Sequence, residues 1–205
     1  MAASRPDGDE AELARLRTEI AGCTVCADLP LGPRPILQIG AGARILIAGQ
    51  APGRLTHLRG RPFDDASGTR LRGWLGLDEA AFRDPSKVAI LPMGFCYPGS
   101  GRSGDLPPRS ECAPLWRQKV LDQLDSVRLT VVIGRHAQGW HLPRTMGATL
   151  SEAMRDWRAR WPETVLLPHP SPRNMGWFRR NSWFEEDVLP MLRTRVAELL
   201  GNPPT

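Results

Sequence analysis

The sequence predicts an α/β fold, a three-layer α/β/α domain around a central, mostly parallel four-stranded sheet. Four short apolar runs alternate with longer stretches of helical periodicity, which is typical of a parallel sheet covered on both faces. Successive residues of each run are apolar, as strands buried on both faces require. The predicted strands are residues 44–48, 88–91, 129–133 and 165–167.

Helices are predicted before, between and after these strands. The first has Leu13, Leu16 and Ile20 on one helical face and ends at Gly22, a favourable residue for a helix C-terminus. The predicted helices are residues 9–21, 69–75, 110–124, a helix that begins near residue 136, and residues 149–160 and 183–200. Residues 1–8 are expected to form a disordered tail. Because no Ser/Gly linker divides the 205 residues, we expect one domain over residues 9–205.

The composition permits a polyanionic partner. The formal net charge is +5, and all but two of the 27 basic residues are arginine, which binds phosphate in a bidentate manner. A GC-rich coding sequence would produce the same bias. The polar N-terminus does not look like a secretory signal, and no apolar run approaches the ~20 residues that span a bilayer. We therefore expect a cytoplasmic protein without a membrane partner.

The four cysteines indicate a metal site. Cys23 and Cys26 form a Cys-x-x-Cys pair, and Cys96 and Cys112 follow with fifteen residues between them. In a reducing compartment this set is seldom two disulfides, and two adjacent thiolates with two distant ones suit structural zinc or an iron–sulfur cluster. A Cys-x-x-Cys alone could also be a redox pair, but a four-thiolate site uses every cysteine.

Four loops are expected to meet at the carboxyl edge of the sheet, where open parallel sheets bind ligands. They are Gly49–Gly53, Gly60–Gly68, Pro92–Cys96 and His169–Asn174. In the last loop, prolines fix φ and hold the chain around His169 in a stiff, non-helical path after the strand ends. A histidine placed in this way could merely satisfy a backbone carbonyl in a turn, so its role depends on what the other loops supply.

The loops together resemble the uracil-DNA glycosylase superfamily. The resemblance rests on Gly49-Gln50-Ala51-Pro52-Gly53, Gly60-Arg61-Pro62-Phe63 and His169-Pro170-Ser171-Pro172, in this order and at this spacing. The cysteines, in particular Cys96 and Cys112, resemble its iron–sulfur class, often called family four. The resemblance covers roughly residues 20–200. It implies an enzyme that extrudes a nucleotide from DNA and hydrolyses its N-glycosidic bond.

The resemblance also implies roles for individual residues. His169 would hydrogen-bond the oxyanion that develops on the leaving base, and Phe63 would stack on the base. Arg173 occupies the wedge position that fills the vacated base stack. The residues implied at the base are Gln50, Ala51, Phe63, Met93 and Gly94. Those implied to contact DNA are Pro52, Gly53, Ser171, Pro172, Arg173 and Asn174. The ligands implied for a 4Fe–4S cluster, with Zn²⁺ as the alternative, are Cys23, Cys26, Cys96 and Cys112.

Three departures from the family pattern bear on specificity. Gln50 stands where the iron–sulfur class has Glu, and Ala51 stands where the best-known uracil enzymes have a water-activating Asp. Neither residue is a general base, so we expect Asp65, with Asp64 as second choice, to orient water or stabilise the sugar cation. The base-reading Asn of relatives is missing from residues 91–95, which predicts recognition by main chain around Met93 and Gly94 and a relaxed specificity that begins with uracil.

Two other classes of protein stay open. The first is a non-catalytic or DNA-trapping binder of uracil or abasic DNA with a structural metal site. One branch of the superfamily traps DNA through a His beside the third cysteine, and residues 97–109 contain none. The second is a zinc-stapled binding module without an active site. His57, in another loop, is expected to be an ordinary exposed side chain, and we expect a monomer that acts on damaged DNA.

Overall fold

The computed structural model describes residues 6–102 and 104–201, and a four-stranded parallel sheet lies at its centre. The strands are β1 (Ile45–Ala48), β2 (Val88–Ile90), β3 (Ser100–Gly101), β4 (Gly104–Asp105), β5 (Leu129–Ile133) and β6 (Thr164–Leu167). The sheet order is β2-β1-β5-β6 with every neighbouring pair parallel, while β3 and β4 form a separate antiparallel hairpin. The predicted fold class and the four predicted strands are confirmed.

Nine α-helices surround the sheet within the described residues. They are α1 (Pro6–Ala21), α2 (Arg54–Arg59), α3 (Ala66–Leu75), α4 (Glu79–Arg83), α5 (Gln118–Leu121), α6 (Gly134–His141), α7 (Leu150–Arg155), α8 (Met175–Arg180) and α9 (Leu189–Leu200). Short π-helical segments precede α5 and α9. Helix α1 begins at Pro6, so it takes in part of the tail predicted over residues 1–8, of which residues 1–5 lie outside the described residues. In the described parts of the chain, none of these helices has the length and apolar character needed to cross a membrane.

The helices form a layer on each face of the sheet. Ile45 and Ile47 of β1 are completely buried in one cluster with side chains of α3 and α9. Leu46 points to the other face, into a cluster with α1 and the segment around Val120. Burial of each such side chain contributes roughly 1.5–3 kcal/mol, so the alternating residues of this central strand stabilise both layers together.

A buried cation fixes the main chain that follows β2. Arg117 is fully buried, and its guanidinium donates to the carbonyl oxygens of Leu91 (2.6 Å) and Pro92 (2.8 Å). Its second Nη donates to Nε2 of His141 at 2.6 Å, which requires a neutral imidazole with its proton on Nδ1. Burial, together with the charge of Arg117, lowers the pKa of His141 to about 3. Burial also lowers the pKa of Arg117, to about 10, so the guanidinium remains a cation at neutral pH.

The turn before α3 holds Phe63 in the left-handed backbone region, at φ 50°. This conformation costs a residue other than glycine roughly 1–2 kcal/mol, so the surrounding structure has to maintain it. A Cβ atom at Gly68 would lie 1.7 Å from the carbonyl oxygen of Phe63, so the helix can approach the turn this closely only with glycine. Asp65 caps α3 by accepting from the Gly68 N–H at 2.9 Å. Arg83 donates to the carbonyl oxygens of Pro62 and Phe63 from the other side.

Gly68→Ala should therefore destabilise the fold. The added methyl group would overlap the Phe63 carbonyl, and we expect the free energy of unfolding to fall by roughly 2–3 kcal/mol. Gly73→Ala is the matched control, since it lies in the same helix and no described atom stands within 4 Å of its Cβ position. The control should be neutral or stabilise by up to about 1 kcal/mol. Urea denaturation of both variants makes the comparison, and equal midpoints would show that the contact at Gly68 can relax.

The buried His141 should make stability depend on pH. Its pKa is about 3 in the folded chain, whereas an ordinary histidine has a pKa of 6.5, so between these values only the unfolded chain is protonated. Stability is full above pH 6.5 and falls as the pH drops, with a contribution from this residue of up to about 2 kcal/mol at pH 5. Urea denaturation at pH 7 and pH 5 should show a smaller loss for His141→Gln than for the wild type. His136→Gln, at an exposed position of the same helix, should follow the wild type.

Candidate active site

Three parallel strands deliver their following loops to the same edge of the sheet. The turn Gly49–Gly53 follows β1, the segment 91–96 follows β2, and the loop His169–Asn174 follows β6. Hydrogen bonds join the first two: the N–H of Met93 donates to the carbonyl of Gly49 and that of Gly94 to the carbonyl of Gln50, both at 2.9 Å. The convergence expected from the order of strands is therefore present in the structure.

This pairing limits how the predicted base-binding residues can contact a base. The N–H groups of Met93 and Gly94 are already committed, so main-chain contacts from these residues to a base have to use carbonyl oxygens. Gln50 and Ala51 are half-buried beside them and can border a ligand. Pro52 is buried, so it offers DNA no side-chain surface and instead shapes the turn, whereas Gly53 is partly exposed.

Phe63 packs at the same edge and leaves part of its ring open. Its Cζ lies 3.7 Å from the Cβ position of Gly49, and the ring meets Phe82 edge-on with centroids 6.4 Å apart. A Cβ atom at residue 49 would be in van der Waals contact with the ring, so a longer side chain there would occupy the space beside it. Asp64, the second-choice acid, forms ion pairs with Arg61 at 3.0 Å and Arg83 at 3.6 Å, so its carboxylate is committed to arginines.

His169 stands at the mouth of this edge. The residue is exposed, and its loop is held by Asn174 Nδ2, which donates to the His169 carbonyl at 2.8 Å. Arg70 donates to the carbonyl of Pro170 at 3.2 Å and ties the loop to α3. Burial lowers the pKa of His169, and the carboxylates of Asp65 and Asp105 oppose part of that shift. The charge of Asp65 therefore acts on His169, the other residue of the predicted catalytic pair.

The residues predicted to contact DNA differ in what they present. Pro172 and Arg173 are exposed, while Ser171 is half-buried and its Oγ accepts from the Arg173 N–H at 3.2 Å. The amide of Asn174 is committed to the loop's own backbone. The guanidinium of Arg173 leans on the β3–β4 hairpin, 3.1 Å from the Cβ position of Gly104, so a wedge role requires it to swing away.

All four cysteines line one pocket. They come from the segment after α1, from the segment after β2 and from the residue that precedes the π-helical turn Ala113–Arg117. The Phe95 N–H donates to Sγ of Cys112 at 3.3 Å, and the Arg34 N–H acts in the same way on Cys96. Burial raises the pKa of the Cys112 thiol to about 11, and it also raises the pKa values of Cys96 and Cys26.

The donor set of this pocket can be compared with the two groups that the sequence leaves open, zinc and an iron–sulfur cluster. A ZnCys₄ site needs four sulfurs within about 2.3 Å of one centre. Among the described residues, no group of three or more His, Cys, Asp or Glu side chains is arranged to hold one metal ion. An iron–sulfur cluster is itself several atoms across and accepts sulfur ligands that stand further apart, and its sulfurs commonly receive backbone N–H hydrogen bonds. The all-sulfur donor set and these N–H donors fit such a cluster.

Sequence reasoning missed three polar residues near the site. Asp105 lies on the β3–β4 hairpin and its charge acts on His169, Arg117 is buried beneath the loop after β2, and His57 is buried at 6% exposure against the ring of Tyr97. The expectation that His57 is exposed is therefore wrong, because α2 turns its imidazole inward. The Gly-rich run around residues 99–104 is a hairpin signal that could have located Asp105, but the burial of Arg117 depends on tertiary packing that no local pattern reports.

Comparison with known families agrees with this arrangement. A family model described as the Uracil DNA glycosylase superfamily matches residues 38–193. The match takes in the turn Gly49–Gly53, Phe63, Asp65 and the His169 loop, and it excludes Cys23 and Cys26. Since it covers well over half of the 205 residues, the chain belongs to the uracil DNA glycosylase superfamily.

Proposed function

We propose that the chain is a monofunctional glycosylase that flips uracil out of DNA and hydrolyses its N-glycosidic bond. Membership of the superfamily supports a DNA glycosylase in general terms. The more specific proposal is supported by the charge of Asp65, which acts on His169, and by the packing of Phe63 against Gly49 at this edge of the sheet. A stacking ring, a hydrogen-bond donor and a carboxylate are the groups that this reaction needs in one place.

Base capture would use the space beside Phe63. A base inside duplex DNA cannot reach these residues, so the nucleotide has to leave the stack, at a cost of a few kcal/mol. The open part of the Phe63 ring would cover one face of the base. Because the N–H groups of Met93 and Gly94 are committed, their carbonyl oxygens would accept from N–H groups on the base edge. Carbonyl acceptors without a side-chain amide support the relaxed specificity, from uracil to other deaminated or alkylated bases.

Bond cleavage would depend on His169. When the N-glycosidic bond breaks, the base takes the electron pair and negative charge develops on its carbonyl oxygen. An imidazole with a lowered pKa is neutral at physiological pH, and its N–H can donate to that oxygen. The free oxygen of Asp65, whose other oxygen caps α3, would stabilise the positive charge on the sugar or orient the attacking water.

DNA would be held by the exposed rim around Pro172 and Arg173. These side chains project at the mouth beside His169, and Arg173 would move off the hairpin to fill the gap left by the flipped nucleotide. Gly53 allows close approach of a DNA backbone, while Ser171 and Asn174 keep the loop in shape. We expect the protein to act as a monomer, in the cytoplasm, on DNA that contains uracil or another damaged base.

We further propose that Cys23, Cys26, Cys96 and Cys112 hold a 4Fe–4S cluster. When bound, the cluster would cross-link the end of α1, the segment after β2 and the helical segment that begins at Ala113, without taking part in the reaction. The segment after β2 carries Met93 and Gly94, so this cross-link would stabilise the loop that borders the base.

Base release from a uracil-containing oligonucleotide tests the proposed activity. His169→Ala should lower the single-turnover rate by roughly 10²–10³-fold, since it removes the donor to the leaving oxygen. Asp65→Asn should lower the rate by roughly 10²-fold while it keeps the acceptor that caps α3. Asp65→Ala should in addition lose about 1 kcal/mol of stability, because it removes the cap.

The same oligonucleotides decide between the proposal and its alternatives. Hypoxanthine and xanthine substrates measure the breadth of specificity, and strict uracil selectivity would defeat the relaxed version. Tight binding of uracil or abasic DNA by a wild type that releases no base would favour the non-catalytic binder. If His169→Ala kept the full rate of base release, the proposed role of His169 in bond cleavage would be contradicted.

The cysteine site has a test that does not use activity. Anaerobically purified wild type should be brown and contain about four iron atoms and about four sulfides per chain. Cys112→Ser should lose the colour and most of the iron, and it should unfold at lower temperature because the cross-link is gone. His136→Gln is the control and should keep both. A colourless wild type with about one zinc per chain would support the zinc alternative.

A further inference from the structure

The β3–β4 hairpin brings a carboxylate to the turn that follows β1. In the hairpin Ser100 pairs with Asp105 and Gly101 with Gly104, and the N–H of Leu106 donates to the carbonyl of Gly99 at 2.8 Å. This fold-back places Oδ2 of Asp105 3.3 Å from the Cβ position of Gly53. A larger residue at 53 would meet the carboxylate, so glycine there leaves room for it.

Within the described residues, hydrogen bonds to the Asp105 side chain involve one of its two oxygens. The Oγ of Ser100 donates to Oδ1 at 3.2 Å, and the hydroxyl of the buried Tyr97 shares a hydrogen bond with the same Oγ at 2.6 Å. Among the described residues, no arginine or lysine forms an ion pair with Asp105. Oδ2 therefore faces the turn Gly49–Gly53 as an unneutralised acceptor.

The hairpin that carries this carboxylate also lies beside the His169 loop. Asp105 is one of two acids that act on the charge of His169, and the hairpin contacts the His169 loop where Arg173 meets Gly104. Neither Gln50 nor Ala51 in the adjacent turn can take a proton at neutral pH. Asp65 has one oxygen committed to the cap of α3. The turn Gly49–Gly53 contains no acidic residue, and the hairpin places the carboxylate of Asp105 beside it.

We propose that Asp105 is a second catalytic carboxylate, which binds the attacking water beside Gly53 and takes its proton. This inference deepens the proposed glycosylase function and rests on it. The N-glycosidic bond breaks and the base leaves with the electron pair, while the water oxygen bonds to the anomeric carbon. The proton released by the water passes to Oδ2 of Asp105, and the base anion takes a proton from solvent.

Single-turnover base release from a uracil oligonucleotide, with binding of the same DNA measured in parallel, tests the proposal. Asp105→Asn keeps an oxygen that can accept from Ser100 but cannot take the proton, so we expect a rate loss of roughly 10²-fold. Its DNA affinity should be equal or higher, because a negative charge is removed. Asp122→Asn, an exposed acid outside the site, is the charge-matched control and should keep the wild-type rate.

Chemical rescue separates a proton acceptor from a structural role. Asp105→Ala opens space beside Gly53, and added formate should restore part of its rate without changing that of the wild type. A rate for Asp105→Asn within about threefold of the wild type, or a loss matched by weaker DNA binding and unmoved by formate in Asp105→Ala, would overturn this inference alone. A wild type that releases no base would overturn the proposed function together with it.

Discussion

The close approach of α3 to the carbonyl of Phe63 is the constraint on which the candidate site depends. Only a residue without a side chain fits at Gly68, and this fit keeps Phe63 in a left-handed conformation that it would otherwise leave. The cap from Asp65 and the guanidinium donors of Arg83 hold the same turn from other sides. The ring of Phe63 is therefore fixed in position, and the strain of its backbone is balanced by helix packing.

The same helix start links structure to chemistry. Asp65 holds α3 through one oxygen and faces His169 with its charge, so a single side chain contributes to both the position of Phe63 and the electrostatics of the histidine. Burial lowers the pKa of His169, whereas the charges of Asp65 and Asp105 raise it. The neutral imidazole that results can donate a hydrogen bond. Its pKa depends on the positions of the surrounding groups, and therefore on the rigidity of the loops that carry them.

Much of this arrangement can be predicted from sequence, for identifiable reasons. The four strands of the sheet are continuous apolar runs, and the loops after them carry Gly, Pro and His in recognisable order. Helices α2, α4 and α8 escape sequence-based prediction because five or six residues are too few to display a helical period. The two-residue strands of the hairpin escape for the same reason. Charge is the least informative signal, since Arg83 and Arg117 bond backbone carbonyls inside the fold and do not face a partner.

The order of the strands has a consequence for biosynthesis. The four cysteines are synthesised well before His169, since Trp116 is the last residue in sequence that lines their pocket. His169 follows β6, which lies at an edge of the sheet and, among the described residues, pairs with β5. A nascent chain can therefore bring the cysteine segments together before the His169 loop is made, so the two regions can form at different times during translation.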